Sequence, residues 1–133
     1  MILLAIVIWI AFCLADGLSD AFTFHKAALA GSHNNKILGV DVHVFYTIKR
    51  ACVVCALALF VGSWLLIPVL GCLQPLFHNG MYFQIRNVLD KLIYPEGFKT
   101  TITRNQSSAL LNFDVFSLRL ILAFLGIGII MFM

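Results

Sequence analysis

The sequence predicts an all-α integral membrane protein, with about three membrane-embedded helices and one amphipathic interfacial helix in a single helical domain over residues 1–133. Three observations predict it. The chain is 62% hydrophobic and only 11% charged, too apolar for an ordinary soluble domain. Its hydropathy is gathered into residues 1–15, 51–71 and 115–133. Between the second and third clusters, apolar residues recur with a helical period.

Residues 51–71, ACVVCALALFVGSWLLIPVLG, carry no charge. At ~1.5 Å per residue they reach across a hydrocarbon core of ~30 Å. The last cluster, VFSLRLILAFLGIGIIMFM, admits Arg119 near its start, where a long side chain can carry its charge to the interface. Residues 1–15 are short for a span, so this helix is expected to extend into CLADGLSDAFTFHK and to hold Asp16 at the interface or against protein. A cleaved secretion signal is the alternative for this cluster, and the lack of a basic residue ahead of the apolar run argues for a retained helix.

Lys26, Lys36, Lys49 and Arg50 lie in one connection, against Arg86, Lys91, Lys99 and Arg104 in the other. Because Lys49 and Arg50 sit directly against an apolar run, the positive-inside tendency puts residues 16–50 in the cytoplasm and the N-terminus outside. AGSHNNKILG reads as a turn region. The stretch after it alternates like a strand over Val40–Val44 yet runs on into the second apolar cluster, leaving strand and helix both open.

Further on, Pro75 is expected to start an amphipathic helix that Pro95 and Gly97 stop, with Met81, Ile85, Val88, Leu89 and Leu92 on its apolar face. Residues 99–112 read as a polar connection with a glycosylation-like NQS at Asn105, and Asp114 as a cap for the last helix.

The candidate chemistry starts with Asp16 and Asp20, four residues apart and therefore on nearly one helix face, suited to holding a divalent ion, relaying a proton or sharing acid–base work. His25 joins them as a candidate catalytic group only if the helix breaks, since a continuous helix carries it to the far side from Asp16. Arg86, Lys91 and Arg119 are candidates for an anionic lipid headgroup, and Arg86 also has Asp90 within reach as a four-apart partner. The three-span arrangement puts Asp16, Asp20 and His25 on one side of the membrane and His78, Arg86 and Arg119 on the other. Two separate polar clusters are therefore expected.

Asp41 and His43 share a face only in a strand and read as loop polarity. Cys13, Cys52, Cys55 and Cys72 read as apolar thiols, since the C-x-x-C at Cys52 and Cys55 lacks the surroundings of a redox or zinc motif. Gly126 and Gly128 admit a close neighbour without forming G-x-x-x-G.

The expected partners are the lipid bilayer and a second copy of the chain or another membrane protein. Nucleic acid is not expected, because a net charge of +3 spread over membrane-adjacent segments makes no groove footprint. No cofactor or metal is specified. The first functional reading is a small membrane structural or interaction subunit, oligomeric or membrane-permeabilising in its concrete form. The alternatives are a small membrane enzyme or ion- or proton-dependent factor using Asp16 and Asp20, and an anionic-lipid-binding module.

Overall fold

A computed structural model describes residues 1–29, 36–37, 40–100 and 115–133, with 36–37 and 40–43 described by their backbone. The order is α1 (Ile2–Leu29), a two-stranded hairpin of β1 (Lys36–Ile37) and β2 (Val40–Asp41), α2 (Val42–Val61), α3 (Leu66–Gln74), a π turn (Pro75–Asn79), α4 (Gly80–Leu89), a 3₁₀ turn (Gly97–Lys99) and α5 (Phe116–Ile130). Since α3, the π turn and α4 follow one another without a gap, the described residues form four helical rods.

The segment open to strand or helix divides in two: Lys36 pairs with Asp41 and Ile37 with Val40 in an antiparallel hairpin, and α2 starts at the next residue. The turn expected over 30–39 falls largely outside the described residues. The polar connection beyond residue 100, Asn105 and Asp114 lie wholly outside them.

The apolar run 51–71 is not one span, and this corrects the sequence expectation. α2 ends at Val61, and Gly62 takes φ +74°, a left-handed conformation that glycine alone adopts without steric cost. The Gly62 N–H bonds to Leu59 O at 3.1 Å and the Ser63 N–H to Ala58 O at 3.1 Å, the paired bonds of a Schellman helix end. The chain then turns back into α3, where Pro68 sits in the first turn and its missing N–H leaves no gap. Pro75 likewise does not begin a helix but lies within the long rod, at the start of the π turn. A proline there removes a donor from the regular ladder, which favours the wider turn.

The turn-back fixes the directions of the rods. Trp9 donates its indole N–H to Leu70 O at 2.7 Å, Gly17 packs on the backbone of His78, and Phe24 meets Tyr82 edge-on, so α1 runs parallel to α3–α4. Arg119 lies over Phe83 whereas Gly126 sits against Cys72 and Val69, so α5 runs the opposite way. Gly126 thus serves contact within the chain, while nothing lies within 4 Å of a Cβ at Gly128.

The core follows one stripe of α1, Ala5, Trp9 and Cys13, packed on Val54, Leu57 and Ala58 of α2, on Leu66, Val69, Leu70 and Leu73 of α3 and on Ala123 of α5. The same stripe continues upward as Asp16, Gly17, Asp20 and Ala21, all buried. One helix face therefore changes from apolar to acidic without turning outward.

Two helices, Ile2–Leu29 and Val44–Val61, are long and apolar enough to cross a membrane, and Phe116–Ile130 is a shorter apolar helix. Only 28% of the apolar window of the first and 11% of that of the second is buried within the chain. In α4 the expected apolar face is only partly covered, with Met81, Ile85 and Leu89 half-buried. Val88 is 73% exposed, as is Leu92 just beyond the helix at 96%, while Arg86 turns inward beside Phe83.

Gly17 is the close-approach residue of the fold. A Cβ there would stand 2.4 Å from His78 O and 3.2 Å from Tyr82 N, both backbone atoms that cannot step aside. Gly17→Ala is expected to cost about 1–3 kcal/mol through overpacking. Gly71→Ala, whose Cβ meets nothing within 4 Å, should leave stability unchanged or slightly raised. Reversible unfolding of both variants in detergent checks the contrast, and equal stabilities would contradict the close approach.

Candidate cation site

Three elements meet where the acidic part of the α1 stripe begins. Asp16 and Asp20 leave α1 on one face, four residues apart as the helical period requires. Lys49 and Arg50 stand two turns into α2, near its middle, and His78 and Asn79 close the π turn. Asp16 and Asp20 are each 5% exposed and His78 7%. Carboxylates so far from solvent need cations close by.

α2 supplies them. Lys49 Nζ bonds to Asp16 Oδ1, Arg50 Nε donates to Asp16 Oδ2 at 2.8 Å, and Arg50 Nη2 donates to Asp20 Oδ2 at 2.9 Å. Two carboxylates face two side-chain cations. Both cations also lie over the Tyr46 ring, Lys49 at 5.0 Å and Arg50 at 5.9 Å from its centroid.

His78 stands between groups of both kinds. Its Nε2 is 2.7 Å from Arg50 Nη2, which only donates, and 3.1 Å from Asp20 Oδ2 and 3.5 Å from Asp16 Oδ2, which as carboxylate oxygens accept. Its Nδ1 is 2.8 Å from Asn79 Oδ1, so with the ring hydrogen on Nδ1 that nitrogen donates to Asn79 and Nε2 is left to accept from Arg50 or to bind a cation. One ligand atom each from Asp16, Asp20 and His78 falls within a 4.8 Å span, the grouping among the described residues suited to hold a metal ion. An imidazole whose far N–H is held by a fixed acceptor is the usual arrangement around a bound metal.

This grouping overturns the expectation of His78 on the opposite side from Asp16 and Asp20. The reason is the chain reversal at Gly62: α2 ends early, α3 runs back, and residue 78 returns to the end of the bundle that holds residues 16 and 50. His25 keeps its place on an unbroken α1, half-buried, and makes no ion pair among the described residues. Lys49 and Arg50, which in the sequence signal only orientation, are the charge partners of the two acids here. The side chains of Asp41 and His43 are outside the description.

A second polar group lies beyond the first along the same rod. Arg119, 0% exposed, donates from Nη1 to Phe98 O at 3.2 Å and from Nη2 to Thr100 O at 2.6 Å, and its guanidinium sits 5.3 Å from the ring centroids of both Phe83 and Phe116. Arg86 stacks over Tyr94 at 4.9 Å and makes no salt bridge with Asp90, which ends α4 in an extended conformation. Asn87 Nδ2 donates to Tyr94 O at 2.6 Å, and the Phe98 N–H donates to Gln84 Oε1 at 3.0 Å. These contacts tie residues 94–100 to α4 and α5. Lys91 is exposed.

No protein-family model, curated protein or solved structure matches this chain. The chain is a small all-α protein with two helices long enough to span a membrane and a buried Asp16/Asp20/His78 cluster able to hold a metal ion or a proton.

Proposed function

We propose that this chain is a membrane-embedded factor that works through a metal ion or a proton held by Asp16, Asp20 and His78. The observation that carries the reading is the convergence of three buried acceptor atoms, one of them an oriented imidazole nitrogen, between helices whose apolar surfaces are left uncovered. Ionisable groups within apolar helices are costly to keep and mark ion or proton sites when they face one another inside a bundle. A structural or interaction subunit explains the uncovered apolar faces but gives no use to the ligand set. An anionic-lipid module on Arg86, Lys91 and Arg119 has less support, since Arg119 is committed to two carbonyls and Arg86 to Tyr94.

The protein in nanodiscs is expected to take up one divalent ion per chain, Zn²⁺ being the first to try. Asp16→Asn, Asp20→Asn and His78→Gln should each abolish tight uptake, while Asn79→Ala should weaken it by about 10–100-fold, the usual effect of losing a ligand's supporting acceptor. Calorimetric titration reads the metal, and potentiometric titration reads protons taken up on acidification. A wild-type protein that binds no divalent ion, and takes up as many protons as the Asp20→Asn/His78→Gln double variant, would contradict the reading.

The rod directions also support an orientation with the N-terminus outside and residues 16–50 cytoplasmic. Residues 1–25, 51–85 and 120–133 carry no lysine or arginine. The basic residues at Lys26, Lys49–Arg50, Arg86–Lys99 and Arg119 sit toward the end of the rods where the cation site lies, away from the turn over residues 62–65. Under the positive-inside tendency that end is cytoplasmic. In a cysteine-free background, an impermeant maleimide should label Ser63→Cys in intact cells and Lys91→Cys only after permeabilisation; the reverse pattern would refute this orientation.

A further inference from the structure

We propose that Arg50 is a tethered cation that closes the Asp16/Asp20/His78 site, and that a divalent ion of the zinc or manganese class enters by displacing it. This inference rests on the reading of those three residues as the cation ligands and names both the ion class and the regulation of the site.

Spacing comes first. His78 Nε2 lies 3.1 Å from Asp20 Oδ2 and 3.5 Å from Asp16 Oδ2. Ligand atoms around a four-coordinate ion with bonds of ~2.0–2.1 Å stand about 3.3–3.4 Å apart. The imidazole nitrogen therefore already stands near the separation a small ion needs from each acid, within a set whose atoms lie no more than 4.8 Å apart, and a mixed imidazole and carboxylate set suits zinc or manganese better than calcium.

Exclusion follows from the imidazole. With the ring hydrogen on Nδ1, Nε2 has a single lone pair, and Arg50 Nη2 lies 2.7 Å from that nitrogen. It can accept from arginine or bind a metal, never both together. Arg50 also covers the other two ligand atoms, through Nε on Asp16 Oδ2 and Nη2 on Asp20 Oδ2. One side chain thus occupies all three ligand positions.

The arrangement allows this cation alone to leave. Lys49 holds Asp16 by Oδ1, the oxygen that the ligand set does not use, so its pairing survives metal entry. The Arg50 side chain is 23% exposed and reaches the cluster past the Tyr46 ring, so a path to solvent exists without unpacking α2. With Arg50 withdrawn, two carboxylates face Lys49 and a divalent ion, a local balance of plus one. A fourth position then favours an anionic oxygen, and three protein ligands with one open position is the pattern of catalytic rather than structural zinc.

The test uses wild type, Arg50→Gln and Arg50→Lys in nanodiscs, each first shown to be monodisperse and helical. Arg50→Lys keeps a charge for Asp16 but lacks the second nitrogen that reaches Asp20 and His78, and it serves if the glutamine variant fails to fold. Titrated with chelator-buffered Zn²⁺, both variants are expected to bind about ten-fold or more tightly than wild type, since removing a competing closed state raises apparent affinity by the fraction it held. Free guanidinium should weaken Zn²⁺ binding to Arg50→Gln toward the wild-type value and leave wild type unchanged. If wild type binds Zn²⁺ and the folded variants bind it equally or less tightly, Arg50 is a supporting group rather than a gate; the inference falls and the site reading stands. If none of the three binds Zn²⁺, the inference falls together with the metal form of the site reading, and the proton titration decides its proton form.

Discussion

The structure depends on burying two carboxylates on α1 without leaving their charge uncompensated. Removing one partner of a buried ion pair typically costs about 3–5 kcal/mol, because the remaining charge stays in surroundings that cannot solvate it. Asp16 and Asp20 therefore dictate where the middle of α2 must lie. Adjacent residues Lys49 and Arg50 reach the same face of α1, one through the outer oxygen of Asp16 and the other through a fork that spans both acids. The α1–α2 pairing is fixed as much by this charge match as by the apolar contacts of Ala5, Trp9 and Cys13 below it.

The third wall of the site comes from backbone devices. Gly62 ends α2 and sends the chain back, Pro75 favours the π turn, and Gly17 lets α1 lie directly on the backbone of that turn. Wider turns of this kind are frequent at functional sites because they re-aim a side chain that a regular helix would point elsewhere. Here the re-aimed residue is His78, with neighbouring Asn79 holding its far nitrogen. About one and a half turns further on, Arg119 ties Phe98 and Thr100 to α5, so side-chain hydrogen bonds to the backbone fasten the end of the bundle that carries the site, as the Trp9 bond to Leu70 O fastens α1 to α3 below it.

Much of this was legible in the residues. The four-residue spacing of Asp16 and Asp20 placed both on one face, and the shortness of residues 1–15 as a span extended that helix into the acidic stretch. A helical segment between the second and third apolar clusters was readable, but its inward face was not. Apolar periodicity identifies a face without saying whether protein or lipid covers it, and in α4 the face bearing Val88 is open while Arg86 is enclosed. The larger omission was the reversal inside residues 51–71. Hydropathy measures compatibility with an apolar surrounding and is blind to direction, so an uncharged run that folds back on itself looks the same as a straight one. Gly62 followed by Ser63 was the one local sign of a helix end there, and everything about the partners of His78 follows from it.

The most direct test of the central claim is anomalous diffraction from crystals of the protein grown in a lipid phase with Zn²⁺. The account predicts one peak at about 2.0–2.2 Å from Asp16 Oδ2, Asp20 Oδ2 and His78 Nε2, with the Arg50 guanidinium moved off those atoms. A peak elsewhere on the chain, or Arg50 still bonded to both acids beside an ion-free cluster at saturating Zn²⁺, would contradict it.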